Sequence, residues 1–185
     1  AVYSTMSVLL NPGDEILLPD PGYGNFAMAA SLGHAQPRFY PTLPSRGFEP
    51  DLDAIERLIS ERTRVLFINS PSNPTGAVYS EETLRRCLEI CRRYDLYLVS
   101  DETYERLVFE GQHYTPAQWD DEGRVISIFT TSKTYAMTGW RVGYAVATEA
   151  IIGAMTKIQE PMTSCVNTVA QYGAIAALLG PWFWW

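Results

Sequence analysis

Four short stretches hold the side chains able to do chemistry, and each follows an apolar run. Ser70-Pro71-Ser72-Asn73-Pro74-Thr75-Gly76 follows RVLFIN, and Ser100-Asp101-Glu102-Thr103-Tyr104 follows LYLV. Thr130-Thr131-Ser132-Lys133 follows RVISIF and continues as TYAMTGWRVGY, which contains Arg141. Asp20-Pro21-Gly22-Tyr23 follows DEILLP. Together they offer an amide, an acid with a phenol, an amine with a guanidinium, and an aromatic ring. An amine can act as a nucleophile or carry a proton. A guanidinium can grip phosphate through two parallel hydrogen bonds, which an ammonium cannot imitate. Taken singly, each also has an ordinary reading: a solvated surface lysine, an aspartate capping the next helix, or a plain turn at Asn73-Pro74-Thr75-Gly76.

The elements that must position these residues alternate in kind. Strand patterns occupy residues 14–19, 36–41, 64–69, 96–100, 124–129 and 141–147. Helical patterns occupy 1–10, 24–33, 51–61, 80–94, 149–159 and 165–179. Ser80 opens the fourth helix with a capping sequence, although Thr83 stands where a capping box has Glu or Gln. Several strands are unbroken apolar runs, which suits a sheet covered on both faces. The expected fold is therefore α/β, a mostly parallel open sheet flanked by helices. Ligands of such sheets lie beyond the carboxyl ends of the strands, where all four stretches fall.

Composition narrows the partners. The 185 residues are 46% apolar and 19% charged, with 14 basic against 21 acidic side chains and a net charge of −7. An acidic chain without a basic run suits neither the nucleic-acid backbone nor an anionic membrane surface. No stretch reaches the roughly 18 apolar residues of a membrane span. Cys87 and Cys91 lie one helical turn apart, with His34 and His113 far away in sequence, so they read as buried thiols in a reducing cytoplasm rather than as metal ligands. No metal site is expected. Gly22-Tyr23-Gly24-Asn25-Phe26-Ala27 matches the dinucleotide-binding pattern, but Pro19 and Pro21 spoil its turn, and strand 36–41 ends without the acid that holds a ribose. A serine hydrolase is disfavoured because there is no G-x-S-x-G.

The blocks from Leu10-Asn11-Pro12-Gly13-Asp14-Glu15 to Gly143-Tyr144, taken in order, resemble the fold type I, pyridoxal-phosphate-dependent aminotransferases of class I/II. The resemblance covers most of the chain and implies pyridoxal 5'-phosphate as cofactor. It implies that Lys133 forms the internal Schiff base and later moves the substrate α-proton. By the same resemblance Asp101 faces the pyridine nitrogen, and Tyr104 and Asn73 hydrogen-bond the phenolic oxygen. Tyr23 stacks on the ring, and Arg141 clamps the phosphate with help from Thr130 and, second to it, Ser132. A cis Asn73–Pro74 bond is implied as well.

The implied reaction is transfer of an amino group from an amino acid to a 2-oxo acid, in a cytoplasmic homodimer. Rival readings are other chemistry on the same cradle (C–S β-lysis, decarboxylation, cyclopropane-forming synthesis) and a cofactor-sensing transcription regulator. Residues 1–181 are expected to be part of the cofactor-binding large domain, cut from its N-terminal arm and C-terminal small domain. The aromatic tail 182–185 has no evident role in that domain. A piece so cut is expected to have little or no activity alone.

Overall fold

In a computed structural model that describes residues 1–180, seven strands form one sheet in the order β3-β2-β1-β4-β5-β6-β7. These are β1 (Glu15–Asp20), β2 (Gln36–Leu43), β3 (Glu49–Pro50), β4 (Thr63–Asn69), β5 (Tyr97–Asp101), β6 (Val125–Thr130) and β7 (Gly143–Val146). The inner pairings β2–β1–β4–β5–β6 are parallel, while β3 and β7 at the two edges are antiparallel. The helices are α1 (Val2–Leu9), α2 (Asn25–Leu32), α3 (Leu52–Leu58), α4 (Glu81–Tyr94), α5 (Glu149–Thr163) and α6 (Thr168–Leu179). The expected architecture is present. The aromatic tail 182–185 lies outside the described residues, and no helix among those described is long and apolar enough to cross a membrane.

Strand alternation sorts the core into two layers. Ile16, Leu18, Val65, Phe67 and Val99 pack with Met6, Phe26, Ala30, Ile151 and Met155 on the face covered by α1, α2 and α5. Leu17, Leu66, Ile68 and Leu98 pack with Ile55, Leu84, Cys87, Leu88 and Cys91 on the face covered by α3 and α4. The thiols of Cys87 and Cys91 are buried in that second layer, and burial pushes the Cys87 pKa up to about 12.

The element boundaries correct the sequence expectation in several places, among them β7, which begins at Gly143 rather than at 141, and β2, which runs to Leu43 rather than 41. Strand β3 carries no apolar run and exists through its ladder to Thr42 and Leu43. Helix α3 stops at Leu58 rather than at 61. Helix α5 runs through Pro161 to Thr163 instead of stopping at 159, although Pro161 has no N–H to give the preceding turn. Helix α6 starts at Thr168 rather than at 165, because Asn167 caps it by accepting the Ala170 N–H at 3.2 Å.

At α4 the capping sequence works with outside help. Ser80 Oγ accepts the Thr83 N–H at 3.2 Å, as a cap should. The Ser80 N–H, which a glutamate three residues on would normally take, donates to Glu49 at 2.6 Å, and the Thr83 hydroxyl donates to the same carboxylate at 2.7 Å. Glu49 on β3 thus does the work of the missing capping-box residue.

Glu15 sits at the amino end of the sheet with a side chain only 1% exposed. It accepts from Ser60 Oγ at 2.7 Å, Arg62 at 2.9 Å, Arg38 at 3.2 Å and Thr63 Oγ1 at 3.3 Å. The Ser60 hydrogen bond, then those of the arginines, holds its carboxyl below the usual range against the opposing cost of burial. A depressed carboxyl pKa contributes stability that is present above the unfolded value and lost as pH falls through the folded one. Glu15→Gln should therefore lower unfolding stability at neutral pH by about 2 kcal/mol, since hydrogen bonds to a charged group are at stake. In urea melts the gap from the parent should close as pH drops below about 4.

Candidate active site

The parallel strands deliver their last residues to one end of the sheet. Asn69 pairs in register with Asp101, and Asp101 with Ile128, so β4, β5 and β6 end side by side. β7 runs the other way and brings its first residue, Gly143, opposite Thr130. Arg141, two residues earlier, therefore enters at the same end although it precedes its strand. A side chain at 143 would bring a Cβ within 2.7 Å of the Phe129 carbonyl, so the close approach depends on glycine.

A cavity of about 520 Å³ opens at this end, lined among others by Tyr23, Asp101, Thr130, Ser132, Lys133 and Arg141. An adjoining cavity of about 280 Å³ shares Tyr23, Phe26, Asp101, Thr103 and Lys133 with it, and adds Asn69, Asn73 and Tyr104. All eight residues singled out from the sequence thus face the two joined spaces.

Asp101 is 6% exposed, and Val99 before it points to the layer of α1, α2 and α5, so alternation turns Asp101 the same way. Thr103 donates its N–H at 3.0 Å and its hydroxyl at 2.5 Å, both to Oδ1. Among the described residues Oδ2 has no hydrogen-bond partner. Burial pushes the Asp101 carboxyl above its ordinary range, only partly opposed by the Thr103 bonds. A cation set against Oδ2 would relieve that cost.

Lys133 is exposed and has no carboxylate within ion-pair distance among the described residues, its Nζ lying 5.8 Å from the Tyr104 ring centroid. Only one other lysine, Lys157, occurs in the chain. Arg141 takes a left-handed conformation (φ 56°) and gives one N–H to the Thr138 carbonyl at 2.8 Å. Like Lys133 it has no ion pair among the described residues, so the guanidinium is free to meet an anion.

Thr130 Oγ1 accepts the Ser132 N–H at 3.1 Å and lies 3.0 Å from both the Val142 carbonyl and Ser132 Oγ. Its single hydrogen can serve only one of these two acceptors, so the two hydroxyls are coupled to each other within the loop. Tyr23 is held by an edge-on contact with Phe26 (5.5 Å, 84°) and by Asn25 Nδ2, which donates to its hydroxyl at 2.7 Å. Gly22 lets the preceding turn close, since a Cβ there would meet the Pro19 carbonyl at 2.4 Å. The Asn73–Pro74, Ser70–Pro71 and Asp20–Pro21 bonds are cis.

Sequence reasoning missed Asn69, Thr103 and Glu102. Asn69 is 2% exposed; its Nδ2 donates to the Asp101 carbonyl at 3.1 Å, and its Oδ1 accepts the Asn73 N–H at 2.8 Å. It ties the β5 end to the loop that presents Asn73. A polar residue closing the apolar run RVLFIN was the available signal, as was a hydroxyl two residues after Asp101 for the side-chain turn of Thr103. Nothing local marks Glu102.

The residues fit pyridoxal phosphate. An uncompensated amine, a buried carboxylate with an open oxygen, a free guanidinium with a hydroxyl beside it, and an aromatic face converge on one space. Comparison with known proteins agrees. The family model for aminotransferase class I and II matches residues 1–183. The chain is 39% identical over 184 residues to the aspartate aminotransferase of Bacillus subtilis, covering 98% of this chain and 47% of that protein. It is 40% identical over 178 residues to a probable aspartate/prephenate aminotransferase of Thermus aquaticus, covering 96% and 46%. A solved structure of aspartate aminotransferase from Thermus thermophilus with maleate superposes with a TM-score of 0.93 at 35% identity, covering 96% of this chain and 46% of that one. The chain thus spans about half the length of the curated relatives it matches. With site geometry, fold and family model in agreement, this chain belongs to the class I and II aminotransferases.

Proposed function

We propose that the full-length protein transfers an amino group from an amino acid to a 2-oxo acid, using pyridoxal 5'-phosphate. Residues 1–181 then form part of its cofactor-binding domain. The observation that carries this reading is the cavity shared by Lys133, Asp101 and Arg141, an amine, a carboxylate and a guanidinium at one end of the sheet. When bound, the cofactor supplies an electron sink for the pair left as the α-C–H bond breaks.

The chain's own residues do the rest. Lys133 would offer the nucleophilic amine that holds the aldehyde carbon, and the same amine would carry the substrate α-proton. Asp101 keeps a proton on the ring nitrogen, and the same interaction stabilises its buried charge. Arg141 and Ser132 grip the phosphate, with Thr130 holding the Ser132 loop in place. Tyr23 stacks on the ring, and Asn73 and Tyr104 donate hydrogen bonds to its phenolic oxygen.

The named relatives differ in substrate. They include aspartate aminotransferases, an asparagine–oxo-acid transaminase of Streptococcus mutans and an alanine aminotransferase of Pyrococcus furiosus. The proposal therefore stops at the class, amino acid and 2-oxo acid. A cytoplasmic homodimer belongs to the same reading: the family supports it, and the buried free thiols of Cys87 and Cys91 suit a reducing compartment.

Mixing the full-length protein with an amino acid and no oxo acid tests the reaction. One equivalent of new oxo acid per site, with aminated cofactor and no ammonia, supports transamination. Release of ammonia and pyruvate, or of carbon dioxide, would point to lysis or decarboxylation instead.

A further inference from the structure

Glu102 is 0% exposed and follows directly on Asp101, yet it lines neither of the two joined cavities. Its N–H donates to the Ile128 carbonyl on β6 at 2.9 Å, which extends the β5–β6 pairing one residue past Asp101. Alternation then sends its side chain to the opposite face of the sheet, away from the cavity. There Oε2 lies 2.9 Å from His113 Nε2, and Oε1 accepts the Thr115 hydroxyl at 2.9 Å. The Thr115 oxygen is also 3.4 Å from Ser127 Oγ on β6. One buried carboxylate thus closes the excursion from 102 to 115, fastening its far end to its start and to the neighbouring strand.

Tyr104 lies within that excursion, two residues from Glu102. Between the fastened ends the Glu105 N–H donates to the Glu102 carbonyl at 3.1 Å and the Leu107 N–H to the Tyr104 carbonyl at 2.8 Å, bonds that close turns inside the segment without tying it to the sheet. Phe109 near its tip is 95% exposed, so packing there does not hold it. A buried carboxylate with two directed donors is costly to leave unpaired, so the loop has one favoured closure.

We propose that Glu102, through His113 and Thr115, is a positioning residue that sets where Asp101 and Tyr104 meet the cofactor. This rests on the function proposed above. Tyr104 can lower the basicity of the lysine–cofactor linkage only if its hydroxyl is held at the phenolic oxygen. Loosening the loop should therefore raise the pH midpoint of the visible absorbance.

The test uses full-length protein carrying Glu102→Ala or Glu102→Gln, with His113→Ala read in place of the first if that one does not fold. In cofactor-free protein, Glu102→Ala should speed amide exchange at Glu105 and Leu107 about tenfold or more. After loading with pyridoxal phosphate, its absorbance midpoint should rise by about half a pH unit or more. Glu102→Gln keeps an acceptor for Thr115 and should return most of both effects. An unmoved midpoint in the folded Ala variant overturns the proposal, because loss of structural support alone would alter melting and exchange but not the linkage. A parent that takes up no cofactor would instead overturn the proposed function, leaving the exchange result to judge the hold of Glu102 on its loop.

Discussion

Full-length protein with Lys133→Ala should lose transamination by about ten-thousandfold or more, since nucleophile and proton carrier vanish together. The physical case rests on what Lys133 lacks. It has no carboxylate partner among the described residues, it is exposed, and its Nζ lies 5.8 Å from the Tyr104 ring centroid. Removing a side chain so placed costs the fold little, because surface substitutions away from packed or paired groups usually change stability by only about 0.5 kcal/mol. Activity should therefore collapse while the thermal midpoint of the cofactor-free protein stays near the parent's. A variant that keeps even about a tenth of the parental rate would remove Lys133 from the chemistry.

Asp101→Asn should act with opposite signs on rate and on stability. The rate should fall about a thousandfold, the scale seen when a charged group aimed at the developing charge of a transition state is removed. Stability should hold or rise. Burial pushes the Asp101 carboxyl up, so its ionised form is disfavoured in the folded, cofactor-free protein. A raised carboxyl pKa means the folded state holds its proton longer than the unfolded chain. Stability is then lost as pH climbs from the unfolded value, about 3.9, through the folded one. Asn has no proton to lose and keeps an acceptor for the Thr103 N–H and hydroxyl, so it escapes that loss. Urea melts of cofactor-free parent and variant at neutral pH, read beside their rates, check both halves. A drop in both quantities would make Asp101 a structural residue; a stable, slow enzyme is what a functional strain predicts.

Much of this site could be read from the chain because its residues stand at the ends of apolar runs. LYLVSD and RVISIFT announce buried strands, and in a parallel sheet the residues that follow such strands share one edge. Asp101, Lys133 and Asn73 were legible for that reason. The strand reversal at β7 was not, since antiparallel pairing is decided by the ladder from Ser127 to Thr130 and not by any residue within 143–146. Yet that reversal is what carries Arg141 to the cavity. The two-residue strand β3 was equally silent: Glu49 matters for what it accepts from Ser80 and Thr83, about thirty residues on. Glu15 and Glu102 share this character. Their partners are distant in sequence, from Arg38 to Thr63 for one and from His113 to Thr115 for the other, and a buried acid looks from sequence like any surface acid. Thr130 and Ser132 show a subtler limit, because the sequence offers both hydroxyls and only the hydrogen-bond geometry shows that they are coupled to each other.

The central claim is that one amine meets the cofactor, and the chain offers an internal control, since Lys157 on α5 is its only other lysine. Full-length protein loaded with pyridoxal phosphate can be reduced with borohydride, digested, and the modified peptide mapped by mass. A single pyridoxyl group should appear on Lys133, with Lys157 and every other lysine unmodified. A label on any other lysine, or no label under conditions where the cofactor is bound, would contradict it.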